Sequence, residues 1–280
     1  VVYRLLLSAF RKNRLAMVGA VLILLFTVVA VIGPWIVPHD PIEQNYRALL
    51  LPPSGEHLMG TDHLGRDVFS RVISGTRLAF LIGIGVVLLE GAIGTMLGAI
   101  AGFLGGAVDN ILMRLVDTML AIPAMVLAIV ISGTFGGGIG PLIFTITIVS
   151  WTHFARLMRG EVLAESGRVY VEAARAIGAS RTRILLRHIL PNTISTAIVF
   201  STLEIPWAIL FSAGLSFLGV GVAPPTPEWG SIIANGRSYV TSAWWIATFP
   251  GLTMMLVVLG FNFLGDGLRD AFDPRLTRRT

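Results

Sequence analysis

The chemistry open to this chain is bounded by five histidines, sixteen acidic side chains and no cysteine in 280 residues. Without thiols there are no disulfides, iron–sulfur clusters or thiolate zinc sites. His39, His57 and His63 share one stretch with Asp40, Glu56 and Asp62, all side chains able to ligate a metal. Their spacing matches no ligand pattern, so no metal site is expected. Serine, histidine and carboxylates elsewhere show no pairing of a nucleophile with its base, and no catalytic residue is expected. A phosphate-cradling loop needs glycines ahead of a lysine, whereas the only lysine is Lys12, in a segment without them. The chain is therefore not expected to bind nucleotide or to need a cofactor of its own.

Two carboxylates, Glu90 and Glu204, stand inside otherwise apolar runs, where a charge needs a partner or a water-filled cavity. Glu204 is followed by Pro206, whose missing amide frees a carbonyl. For Glu204 and Pro206 two readings stand, a polar translocation path or a structural bond; for Glu90 a hydrogen bond to another helix or to the sister subunit is expected. Asp117 is expected to pair with Arg114 one turn away. The third feature is the basic stretch from Glu172 to Asn192. Ala173, Ala174 and Ala176 favour helix up to Ile177, Gly178 suits a positive φ, Ser180 can cap a second short helix, and Pro191 is expected to end the unit. The small side chains Ala173, Ala174 and Ala176 should offer a surface that fits closely into another protein's groove.

The elements that position these residues follow from composition. Hydrophobic residues make up 54% of the chain and charged residues 13%, with a mean hydropathy of +0.79, so the bilayer is the expected solvent. Runs of roughly 20 residues predict about six membrane-spanning helices. These are Leu15–Val37, which is too long for a signal-peptide core, Leu78–Leu104, Ile111–Ile131, Leu142–Leu157, Thr193–Phe217 and Ser242–Leu264. Residues 1–14 form an N-terminal segment, either a basic flank or an interfacial helix. Residues 38–76 form a long connection of mixed charge. Residues 77–265 are the transmembrane core, including the loop 159–192, and residues 266–280 form a tail. Within the connection, Val68, Phe69, Val72 and Ile73 lie opposite Arg66 and Arg71, predicting a short surface helix with an Asp67–Arg71 pair. Gly94, Gly98, Gly102 and Gly106 recur on one face, a pattern for close helix packing.

Arginine placement sets the expected orientation. Arg4, Arg11, Lys12 and Arg14 precede the first span, Arg156 to Arg187 follow the fourth, and Arg269, Arg275, Arg278 and Arg279 follow the sixth. With both termini and the loop 159–192 cytoplasmic, all three basic segments stay inside. The net charge of +5 is explained by this topology, and no nucleic-acid partner is expected.

The segment Glu172-Ala173-Ala174, then Gly178, then Leu190-Pro191, resembles the EAA loop of ATP-binding-cassette (ABC) importer permeases, with His188 where the family carries an apolar residue. The resemblance extends over nearly the whole chain to the C-type subunits of oligopeptide and dipeptide permeases. His57-Leu58-Met59-Gly60-Thr61-Asp62, Val108-Asp109-Asn110, Pro224-Pro225-Thr226-Pro227-Glu228-Trp229 and Gly265-Asp266-Gly267-Leu268-Arg269-Asp270 also carry it. It implies an all-α type I permease fold in a prokaryotic inner membrane and a paralogous permease partner. It further implies two ATPase subunits that hold ATP and magnesium, and an extracytoplasmic solute-binding protein. Glu172, Ala173, Ala174, Gly178, Leu190 and Pro191 are then the ATPase-coupling residues. Peptide is the implied cargo; nickel complexes, glutathione or oligosaccharides are alternatives within the class. A secondary transporter driven by an ion gradient is the rival class, disfavoured because no internal repeat is evident.

Overall fold

The computed structural model describes residues 13–272. The N-terminal segment up to residue 12, expected as a basic flank or an interfacial helix, and the expected cytoplasmic tail beyond 272 lie outside the described residues. Helix α1 (Arg14–Ile36) starts where Asn13 Oδ1 accepts from the amides of Leu15 and Ala16 at 3.1 and 3.2 Å. Helix α2 (Val68–Leu104) starts where Asp67 caps the amide of Ser70 at 2.7 Å, and it stops at Gly105, φ +65°.

Helix α2 has 37 residues, roughly 55 Å at 1.5 Å per residue. The expected separate surface helix does not exist: Val68 to Thr76 are the first turns of the same helix that crosses the membrane. Gly75 is no break, because the Trp229 indole packs against it and donates to the Val72 carbonyl at 3.0 Å. The expected Asp67–Arg71 side-chain pair is also absent. Arg71 is buried and donates to the Pro41 carbonyl at 2.8 Å, while Asp67 takes His57 instead.

The expected third span is broken. Helices α3 (Gly106–Ala121) and α4 (Ala124–Phe135) meet at 92°. Pro123 forces Ile122 into an extended conformation, φ −90° and ψ 131°, which no α-helix can pass through. Asp117 pairs not with Arg114 but with Arg156 of α5 (Ile139–Ser166), at 2.6 Å.

After α5 come α6 (Val169–Ala176), α7 (Arg181–Ile184), a π-helical turn at Leu185–Ile189 and α8 (Leu190–Phe217). Then follow α9 (Trp229–Gly236), a 3₁₀ turn and α10 (Trp245–Phe272). Pro191 does not end the hairpin unit; the π turn carries the chain from α7 straight into α8. A proline ring would clash with the carbonyl four residues earlier, here Arg187, and the wider turn directly before it removes that conflict.

Among the described residues four helices are long and apolar enough to cross a membrane, and the bent α3–α4 pair counts as a fifth. Helix α5 is equally long at 28 residues. Its Thr145, Thr147, Ser150 and Thr152 are buried against neighbouring helices, so its polarity is turned away from lipid. The core is centred on α2, whose Gly94, Gly98 and Gly102 lie against Trp151, Phe154, Ala155 and Arg159 of α5. Gly106, placed on that face by periodicity, instead opens α3 with φ +56° in free space.

Candidate functional site

Helix α6 is amphipathic in an unusual sense, because both sides carry apolar groups. Val171 and Ala174 point inward and join Ala99 of α2, Val162 of α5, Ile184 and Ile189 in a small core. This seats the hairpin on the bundle. Ala174, expected on the outer surface, is one of these anchors. The opposite side presents Glu172, Ala173 and Ala176 to solvent between Val169 and Ile177, which are 80% and 85% exposed. These two large aliphatic side chains are the most exposed apolar groups of the hairpin.

The turn after α6 is fixed by hydrogen bonds. Gly178 donates to the Arg175 carbonyl and Ala179 to the Ala174 carbonyl, each at 3.0 Å, closing a Schellman motif around Gly178 at φ +83°. A Cβ on Gly178 would meet nothing within 4 Å, so only the backbone demands glycine here. Ser180 Oγ accepts from the Arg183 amide at 3.4 Å and starts α7.

At the base of the hairpin the Tyr170 hydroxyl lies 2.7 Å from Glu165 Oε1 and accepts from Asn192 Nδ2 at 3.0 Å. Desolvation first, and the Glu165 contact second, raise the phenol above its ordinary pKa and keep it a donor. Asn192 also donates to the His188 carbonyl at 2.6 Å. The apolar role that His188 does not fill is taken by fully buried Ile189. Leu190 is half-buried against the hairpin core and Pro191 is exposed. Arg168, Arg175, Arg181, Arg183 and Arg187 ring the exposed face.

A second cluster lies within the bundle. Glu204 of α8 is buried, with Oε2 3.7 Å from His153 Nδ1 of α5, and His153 stands edge-on to Trp207 at 5.6 Å between centroids. Pro206 is buried two residues along the same helix. Glu90 of α2 is fully buried within electrostatic reach of both. Among the described residues Glu90 has no hydrogen-bond partner: Ser150 faces it, but that hydroxyl donates to the Ile146 carbonyl at 2.8 Å, which leaves the sister subunit as the place for the expected bond. Sequence reasoning left His153 out of this group, and only its place one helix away from Glu204 reveals the pairing.

The third cluster is on the 38–67 connection. His57 Nδ1 donates to Asp67 Oδ1 at 2.9 Å, His39 Nε2 donates to the Glu56 carbonyl at 3.1 Å, and the two imidazoles lie 4.8 Å apart, tilted by 35°. His63 is elsewhere, stacked on Tyr239 at 5.6 Å. Burial pushes its imidazole below the usual pKa, with Asp62 opposing.

Comparison with known proteins places these clusters in context. Residues 94–278 match the model of the binding-protein-dependent transport system inner membrane component, and residues 3–53 match the N-terminal TM domain of oligopeptide transport permease C. The chain is 44% identical over 275 residues to the di/tripeptide transport system permease protein DppC of Pseudomonas aeruginosa, covering 96% of this chain and 91% of that protein. It is 42% identical over 265 residues to the probable D,D-dipeptide transport system permease protein DdpC of Escherichia coli, covering 95% and 89%. It is also 44% identical over 268 residues to the glutathione transport system permease protein GsiD of E. coli, covering 95% and 88%.

Proposed function

The chain belongs to the binding-protein-dependent transport system inner membrane component family, as a C-type oligopeptide or dipeptide permease of the ABC importer class, and on that premise we propose that it pairs with a paralogous permease to form a path for short peptides. It is an all-α, multi-pass inner-membrane transport permease. Catalysis of ATP hydrolysis falls to two separate ATPase subunits, which hold ATP and magnesium, and an extracytoplasmic binding protein delivers the cargo.

The observation that carries the coupling role is the seated hairpin. Val171, Ala174, Ile184 and Ile189 fix it to α2 and α5, while Val169, Glu172, Ala173 and Ile177 stand free. A push on the exposed side is transmitted to the bundle because the buried side has no slack. Glu172, Ala173 and Gly178 then act at the ATPase, whereas Ala174, Leu190 and Pro191 position the hairpin. Glu204 and Pro206, with His153, line the path where a peptide ammonium group would find a carboxylate.

Orientation follows from the same end of the molecule. Asn13 donates to Asp270 Oδ2 at 3.1 Å, so both ends of the described chain lie together. The arginines at 156–187 and Arg269 favour the cytoplasm for that end. Because the chain has no native cysteine, single cysteines test this directly. A cysteine at Arg181 should react with an impermeant reagent only from inside, and one at Glu56 only from outside; the reverse pattern overturns the orientation.

Peptide is favoured as cargo because relatives named for dipeptides and di/tripeptides match at 42–44% identity. Glutathione, the cargo named for a 44% relative, is itself a small peptide and falls in the same chemical class. The test is ATP-dependent uptake into vesicles holding the complete importer. Labelled dipeptide should accumulate and unlabelled short peptides should compete. Accumulation of a nickel complex or an oligosaccharide without peptide uptake defeats the cargo assignment, and uptake driven by an ion gradient without ATP defeats the class.

A further inference from the structure

We propose that His39, His57 and Asp67 form a binding site for a divalent late first-row metal ion, of the zinc type, on the connection between α1 and α2. One ligand atom from each of the three lies within 4.8 Å of the others. Sequence spacing hid the site because Asp67, rather than any carboxylate near the histidines in sequence, completes it.

Three properties make this more than a chance meeting of side chains. First, the groups are preorganised. His57 and Asp67 are buried and already face each other at 2.9 Å, and His39 is held through Nε2 by its hydrogen bond to the Glu56 carbonyl. Such bonds fix the ring planes of ligating histidines. In the neutral ring, donation from Nε2 leaves the lone pair of His39 Nδ1 free. Secondly, the donor set is selective. Two imidazoles and one carboxylate, with no thiolate in the chain, suit zinc and its neighbours, whereas calcium and magnesium ask for a shell of oxygens. Thirdly, the site is accessible: all three residues line a pocket of about 560 Å³ where Asp40, Glu43 and Glu56 outnumber the one cation, Arg47, and the net negative charge draws cations in.

The rearrangement required is small. Bonds of about 2.0–2.2 Å to a tetrahedral ion set its ligand atoms roughly 3.4 Å apart. The 2.9 Å contact between His57 and Asp67 must open slightly, and the wider gaps must close by rotation of half-buried His39. The ion takes the place of the proton on His57 Nδ1, which passes to solvent, and water fills the fourth position. Asp67 keeps its other oxygen on the Ser70 amide, so the α2 cap survives. The bound ion would staple residues 39 and 57 to the first turn of α2.

The experiment is a calorimetric titration of Zn²⁺ alone into the full chain, purified in detergent without a histidine tag. A single saturable site per chain is expected, together with a higher unfolding temperature in zinc. His39→Ala, which removes only one hydrogen bond to a backbone carbonyl, and Asp67→Asn, which preserves the shape of the cap, should each weaken binding about tenfold or more. His63→Ala should bind as the wild type does. Absence of saturable binding in the wild type, or equal affinity in wild type and His39→Ala, overturns the site.

Discussion

The two ends of the bundle are built on opposite plans. At the end formed by the 38–67 connection and α9, charged and indole groups are buried and bonded. Asp62 holds Arg66 Nε at 2.7 Å and lies 3.8 Å from Arg71 Nε, and the Trp245 indole donates to the Thr61 carbonyl at 3.0 Å. At the hairpin end, the core is six small or aliphatic side chains, and Val169, Glu172 and Arg175 on the outer side of α6 are left in solvent. One end buries its charged groups in bonds to itself; the other leaves most of the arginines of its hairpin exposed. The difference teaches that stability and coupling are separable in this molecule. Substitutions at the first end should unfold it, and those at the second should leave it folded but idle.

The largest effect expected on stability is that of Asp62→Ala, which leaves two buried guanidinium groups without their carboxylate. Breaking a buried ion pair costs about 3–5 kcal/mol. Membrane abundance should fall sharply, and the solubilised chain should unfold at much lower temperature. Next is Trp245→Phe, which orphans the Thr61 carbonyl at a cost of about 1–3 kcal/mol, read as a smaller fall in unfolding temperature. Gly178→Val follows: with free space around the Cβ, the penalty is the left-handed backbone alone, about 1–2 kcal/mol, confined to the hairpin. Glu172→Ala should act in the same direction on transport, more mildly. Smallest is Ile177→Asp, a solvent-facing change within about 0.5 kcal/mol of neutral, which should nevertheless reduce the ATPase retained on co-purification. An Ile177→Asp chain as unstable as Asp62→Ala would erase the distinction between the two ends.

The sequence made the spans legible where hydropathy was uninterrupted, and Gly178 legible because only one residue type suits that backbone. It misled where a local signal had a tertiary answer. Arg71 read as the polar face of a separate surface helix, yet the Pro41 carbonyl takes it and Trp229 packs on Gly75 within α2. Pro123 lay within an apolar run whose hydropathy concealed a right-angle bend. Ala174 belonged to a small-residue surface by composition and to the hairpin core by its i, i+3 relation to Val171. His153 with Glu204, and His39 with His57 and Asp67, are brought together only by folding, and no spacing rule reaches across helices.

The central claim, that the hairpin at Glu172–Gly178 transmits ATPase closure to a bundle that folds without it, meets its most direct test in Gly178→Val. The variant and the wild type are each assembled with the paralogous permease and the ATPases, and retention of the ATPases, ATP hydrolysis and peptide uptake are measured in one reconstituted preparation. The account predicts a normally inserted permease pair with weakened ATPase retention and little or no uptake; full assembly with normal transport would contradict it.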